Sequence, residues 1–186
     1  MQKRRMDRLL VTHCAPVLAG LKTAGMFSFL AEDQSGLGMH LARWNALLNG
    51  CGIYATVICK CPARSLIYVY RKKALEDDIA CRAARALLDC YGYAGGVGRH
   101  IAHLRKRIGD AESFPHEIGL FLGYPLHDVA GFIENSGRGY KLAGPWKVYD
   151  GVKEAQCTFK KYSKCKDIYL KMYDKGKSIA QLTVAA

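Results

Sequence analysis

The sequence predicts a mainly helical α+β fold with a small antiparallel sheet, and three observations predict it. Residues 53–61 alternate in polarity and are followed, after Pro62-Ala63-Arg64-Ser65, by the β-rich run 66–71, the pattern of a hairpin. Apolar residues recur at helical spacing over 4–13, 37–48, 74–91, 99–108 and 150–176. At 186 residues, without a low-complexity tract or linker, the chain fits a single domain spanning 1–186.

The first helix carries Met6, Leu9, Leu10 and His13 on one stripe. It is expected to end near Cys14, because Pro16 disfavours helical geometry at Ala15. Ser35 is the expected N-cap of the next helix, whose stripe is Leu37, Leu41, Trp44 and Leu48 and whose stop is Asn49-Gly50; His40 flanks that stripe in a structural role. In the hairpin, Ile53, Ala55, Val57, Cys59 and Cys61 share one face, and Tyr54, Thr56, Ile58 and Lys60 the other. A lone hairpin is marginal in water, and 145–149, with Trp146-Lys147-Val148-Tyr149, is the candidate third strand.

Residues 74–91 read as one helix with Leu75, Ile79, Ala83, Ala86, Leu87 and Cys90 on its stripe. Its acids, Glu76 to Asp78, precede Arg82 and Arg85, the order that the helix dipole favours. Gly92, Gly95, Gly96 and Gly98 mark a loop before the helix 99–108. That loop is a poor dinucleotide cradle, since it follows a helix and carries Ile101 where a third glycine belongs. Pro115 and Pro125 supply preset φ angles for two further helix starts, so Glu117 and Asp128 read first as helix-end electrostatics. The last helix runs from an Asp150 N-cap to Gly176, with Val152, Ala155, Phe159, Tyr162, Ile168, Tyr169, Met172 and Tyr173 inward. Lysines 153, 160, 161, 164, 166, 171 and 175 take its other face.

Half the residues are hydrophobic and 24% are charged, the balance of a globular chain, and no apolar run can span a bilayer. A secretory signal is not expected either: the run Leu9-Leu10-Val11 after Lys3-Arg4-Arg5 is broken by His13, Pro16 and Lys22. The chain is therefore expected in the cytoplasm, with no membrane partner and its eight cysteines as thiols. No Cys-x-x-Cys occurs, and Cys59 and Cys61 stand at a strand spacing, so no metal site is expected. Cys81, Cys90, Cys157 and Cys165 read as buried, apolar-behaving thiols. A net charge of +12 points to an anionic partner without naming it.

Three stretches together resemble a known family: His13-Cys14-Ala15-Pro16-Val17-Leu18-Ala19-Gly20-Leu21-Lys22, the strand end Tyr68-Val69-Tyr70-Arg71, and Phe114-Pro115-His116-Glu117-Ile118-Gly119-Leu120-Phe121-Leu122-Gly123-Tyr124-Pro125. With Asp128-Val129-Ala130-Gly131-Phe132-Ile133 and Trp146-Lys147-Val148-Tyr149 added, the resemblance is to the bacterial domain-of-unknown-function family 3793, met mainly in clostridia and related anaerobic bacteria. It implies a small stand-alone cytoplasmic protein and no activity. It draws attention to Cys14, Lys22, His116 and Glu117.

One functional reading is a site for an anionic small molecule or cofactor of unknown identity. Cys14, His116 and Glu117 would supply thiol, imidazole and carboxylate chemistry, and Lys22, His13 and Tyr124 would hold the ligand. Against it stands a purely structural use, with Cys14 packed behind Pro16 and His116 at a helix start. A second reading is weak, sequence-tolerant nucleic-acid binding through Arg99, Arg105, Lys106, Arg107 and the C-terminal lysines, with Tyr68, Tyr70, Tyr91 and Tyr93 as stacking surfaces. A third is an interaction with an acidic redox or metal-handling protein.

Overall fold

The computed structural model describes residues 2–30, 36–61, 64–110 and 114–185. The chain comprises two compact units: residues 1–74 with 164–186, and residues 75–163. Both boundaries fall inside helices, so no linker marks them. The mainly helical α+β class holds, and among the described residues no helix is long and apolar enough to cross a membrane.

In the first unit, β1 (Ala24–Leu30), β2 (Ile53–Cys61) and β3 (Arg64–Arg71) form an antiparallel sheet in the order β1-β3-β2. The third strand is thus Ala24–Leu30 and not 145–149. Phe27 and Phe29 turn inward between exposed Ser28 and Leu30, a period-two pattern that fits a sheet edge. A bulge in β2 corrects the expected faces of the hairpin. Val57 pairs with Ile67 and Cys59 with Leu66, leaving Ile58 as the extra residue; it is fully buried while Cys59 is only half-buried.

Helix α1 (Gln2–Leu18) contradicts the expected end near Cys14, since it continues through Pro16. Tertiary contacts outweigh the proline. Cys14, Ala15, Val17 and Leu18 are completely buried, and Arg71 donates from Nε to the Val17 carbonyl at 2.7 Å and from a terminal nitrogen to that of Leu18 at 2.9 Å. Those carbonyls are among the acceptors that a helix end leaves without an intrahelical partner. Helix α2 (Leu37–Leu48) starts after Gly36, at φ 95°, and buries Leu37, His40, Trp44 and Leu48; Ser35 lies outside the described residues. Asp7 on α1 accepts from Trp44 Nε1 at 2.8 Å and from Arg43, tying the two helices together. Tyr54, Tyr70 and Tyr68 stack in a ladder across the sheet.

The second unit holds most of α3 (Lys72–Ala80), then α4 (Arg82–Cys90), α5 (Val97–Asp110), α6 (Ile118–Phe121) and α7 (Leu126–Glu134). A two-residue ribbon, β4 (Leu142–Ala143) with β5 (Lys147–Val148), and the first half of α8 (Val152–Asp174) complete it. The single helix expected over 74–91 is broken at Cys81, whose backbone is extended at φ −55° and ψ 132°. The break advances the buried phase by one residue, so Ala84 and Leu88 are buried in place of Ala83 and Leu87. Cys81 and Cys90 are exposed for the same reason, and Cys157 is exposed too; of the four cysteines expected inside, only Cys165 is buried. Ile168 is also 44% exposed, because at 100° per residue it stands roughly 140° around α8 from buried Tyr173.

Lys147–Val148 does form a strand, but with the strand just before it. Lys141 N–H donates to the Val148 carbonyl at 2.8 Å and Gly144 N–H to that of Trp146 at 3.1 Å. Closing so short a loop costs little chain entropy, which favours this local pairing. Trp146, Val148 and Ala155 are the centre of a small core with Tyr124, Leu142, Val152, Phe159 and Tyr162.

Candidate functional site

Two buried carboxylates organise the second unit. Glu117, 1% exposed, accepts from the Tyr93 hydroxyl at 2.9 Å and from Arg107 Nε at 2.5 Å, so α5 clamps the start of α6. Asp128, 2% exposed in the first turn of α7, accepts from Trp146 Nε1 at 2.7 Å and from the backbone amides of Tyr149 at 2.7 Å and Asp150 at 3.3 Å. Both acids are tertiary anchors and do much more than the helix-end role expected of them. A buried charge of this kind costs stability unless it is hydrogen-bonded; Glu117 has two donors and Asp128 three.

Close approach of these elements depends on glycine. A Cβ on Gly119 would stand 2.7 Å from Val129 Cγ2, and one on Gly131 would stand 2.6 Å from Tyr149 Cγ. Either would drive α7 off its neighbour. With the glycines in place, segment 114–119, α7 and the β4–β5 ribbon enclose a cavity of about 400 Å³. Its walls are mostly apolar and aromatic: Phe114, Pro115, Tyr124, Val129, Phe132 and Trp146. Trp146 stacks on Tyr124 with ring centroids 5.1 Å apart and meets the Phe159 ring edge-on at 4.5 Å.

Among the described residues, His116, Asp128 and Lys147 are the charged or titratable groups that line this space besides Tyr124. The His116 ring is exposed and meets Phe132 edge-to-face at 4.9 Å. Lys147 Nζ donates to the Gly137 carbonyl at 2.6 Å and lies 4.7 and 5.4 Å from the centres of the Tyr140 and Phe132 rings; among the described residues that carbonyl is its one hydrogen-bond acceptor. Asp128 is already saturated by its donors. Burial pushes the Tyr124 hydroxyl up to about 12, with Tyr162 adding to the shift, so it stays a neutral donor.

Of the expected site residues, His116 and Tyr124 line this cavity, while Glu117 is turned into its clamp with Arg107 and Tyr93. Cys14, Lys22 and His13 belong to the first unit. Cys14 is fully buried with its sulphur 3.0 Å from where a Cβ on Gly25 would stand, and burial pushes its thiol up to about 12 although Lys22 opposes. Lys22 is shifted down, by burial first. His13 stacks flat on Phe27 at 5.3 Å. Tyr68 and Tyr93, read as stacking surfaces, are instead buried in their own units. Phe132, Trp146 and Lys147 were not expected in a site. Their signal was present, since Asp128–Ile133 and Trp146–Tyr149 were among the stretches carrying the resemblance.

Mainly helical α+β architecture with an aromatic-walled cavity therefore defines the class. The chain belongs to the family described as proteins of unknown function, DUF3793, whose model it matches over residues 10–183. No curated protein and no solved structure matches the chain.

Proposed function

We propose that the protein binds a small, flat, mainly apolar molecule with one anionic group in the cavity of the second unit. The observation carrying this reading is the cavity itself: about 400 Å³ of aromatic-lined space with two groups that can be cationic, His116 and Lys147, in its wall. That volume lies in the ordinary range of small-molecule sites, and a largely apolar lining with a few polar groups is their usual composition. In this reading the ligand's ring lies against Trp146 and Phe132, and its anionic group is held by Lys147 and, when protonated, His116. Three stretches of the family resemblance, Phe114–Pro125, Asp128–Ile133 and Trp146–Tyr149, supply most of the walls, which supports a shared use for the space. Cys14 is no part of this site, and the reading carries binding without a catalytic step.

The test is a titration of the full chain with anilinonaphthalene sulfonate, an aromatic anion whose emission rises in apolar surroundings. Saturable binding at one site is expected. His116→Ala and Lys147→Met should each weaken it about tenfold, the scale of one charge-assisted contact. Ala143→Trp, at an exposed position lining the cavity, should block it without unfolding the chain. Equal binding in all three variants, or none in the parent, would refute the proposal.

A further inference from the structure

A second cavity, of about 430 Å³, lies wholly within the first unit, among the first turns of α1, the second half of α2 and the end of α8 with the turn after it. Its geometry is held from several sides. The Tyr173 hydroxyl donates to the Arg4 carbonyl at 3.1 Å, and Arg8 pairs with Asp174 through Nε at 3.3 Å and a terminal nitrogen at 3.2 Å. After α8, Gly176 takes φ +96°, and the Gly176 and Lys177 amides bond back to the Tyr173 and Met172 carbonyls at 2.9 and 3.0 Å. This helix-ending turn brings Lys177 to the cavity.

The charges do not balance. Among the described residues, Arg4, Arg43 and Lys177 line the space against one carboxylate, Asp7, while Asp174, which Arg4 also attracts, is paired with Arg8 outside the lining. Asp7 is already engaged by Arg43 and by Trp44 Nε1. Among the described residues neither Arg4 nor Lys177 forms an ion pair, and the buried Nε–H of Arg43 has no acceptor. Two positive charges in excess match a phosphate dianion, for which guanidinium groups are the better-shaped partners. Leu47 and Ile179 add apolar wall, so the space can take an organic body as well as the anion.

We infer that this cavity is a binding site for a phosphorylated small molecule, with Arg4, Arg43 and Lys177 as its phosphate contacts. It is independent of the aromatic cavity and of whatever binds there. The Gly92–Gly98 loop takes no part in it.

Calorimetric titration of the full chain with pyrophosphate, at constant ionic strength, tests the inference. One saturable site per chain is expected. Arg4→Gln and Lys177→Met should each weaken it about tenfold. Both side chains are exposed, so the ligand-free melting temperature should not move and a folding defect cannot imitate the result. Lys153→Met removes an equal charge from an exposed position that does not line the cavity and should leave the affinity unchanged. No saturable site, or equal weakening by Lys153→Met, would overturn the assignment and leave only diffuse attraction by a basic surface.

Discussion

Cys14 and Cys81 differ in everything but the sulphur. Burial holds Cys14 as a neutral thiol, whereas the exposed Cys81 thiol is shifted down by the Ala84 and Ala83 amides at the start of α4. In native protein at neutral pH, Cys81 should therefore react quickly with maleimide and Cys14 only after denaturation, as peptide mass spectrometry would resolve. Cys81→Ser should change stability by less than about 0.5 kcal/mol, since serine is a good N-cap at an exposed site. Cys14→Ser should cost roughly 1–3 kcal/mol by burying a hydroxyl. Preferential labelling of Cys14 would contradict this placement. The sequence shows a cysteine before Pro16 but not the sheet that closes over it. His116 was legible because a proline-led, polar-rich start stands out locally. Asp128 and Trp146 were each visible but not their bond, which joins residues 18 apart with no periodicity to announce it.

At the scale of elements, local rules failed where a distant group compensated. Pro16 should have ended α1, yet Arg71, more than fifty positions on, caps the helix end beyond it at the Val17 and Leu18 carbonyls and also donates to that of Val184 at 2.7 Å. Arg71→Met should lower stability by about 3 kcal/mol or more, measured as a lower urea midpoint, because three acceptors lose charge-assisted partners. A loss under about 0.5 kcal/mol, the range of ordinary surface substitutions, would show that Arg71 is not the cap. The break at Cys81 has a similar lesson. Apolar spacing is nearly continuous through 74–91, and a single extended residue shifts the phase by one position, which composition alone does not report. Helix existence and the hairpin were readable from periodicity; the two-unit division was not, because its boundaries lie inside α3 and α8.

For the whole molecule, acid sensitivity should begin with histidine. His13 and His100 are both shifted below the ordinary 6.5, by burial first; Lys166 adds to this at His13, and Asp89 opposes it at His100. The fold thus prefers their neutral forms. As pH falls past 6.5 the unfolded chain takes up these protons before the folded one, so stability is complete above that pH and declines below it. Asp174, held below 3.8 chiefly by its hydrogen bond from Arg8, adds a second loss only in stronger acid. Urea melts across this range should show the first decline flattened in a His13→Gln, His100→Gln variant. An unchanged profile would assign the decline to other groups.

The two tryptophans give the most direct test of the ligand cavity, because each indole N–H has a different carboxylate partner: Trp146 donates to Asp128 in the wall of the aromatic cavity, and Trp44 to Asp7 in the other unit. Nuclear magnetic resonance resolves their two N–H signals in one spectrum of the full chain. Titration with anilinonaphthalene sulfonate should move the Trp146 signal to saturation and leave Trp44 in place, while Ala143→Trp, with its added indole assigned separately, should abolish the Trp146 shift. Saturable binding that leaves the Trp146 signal still would contradict the claim that this cavity is the site.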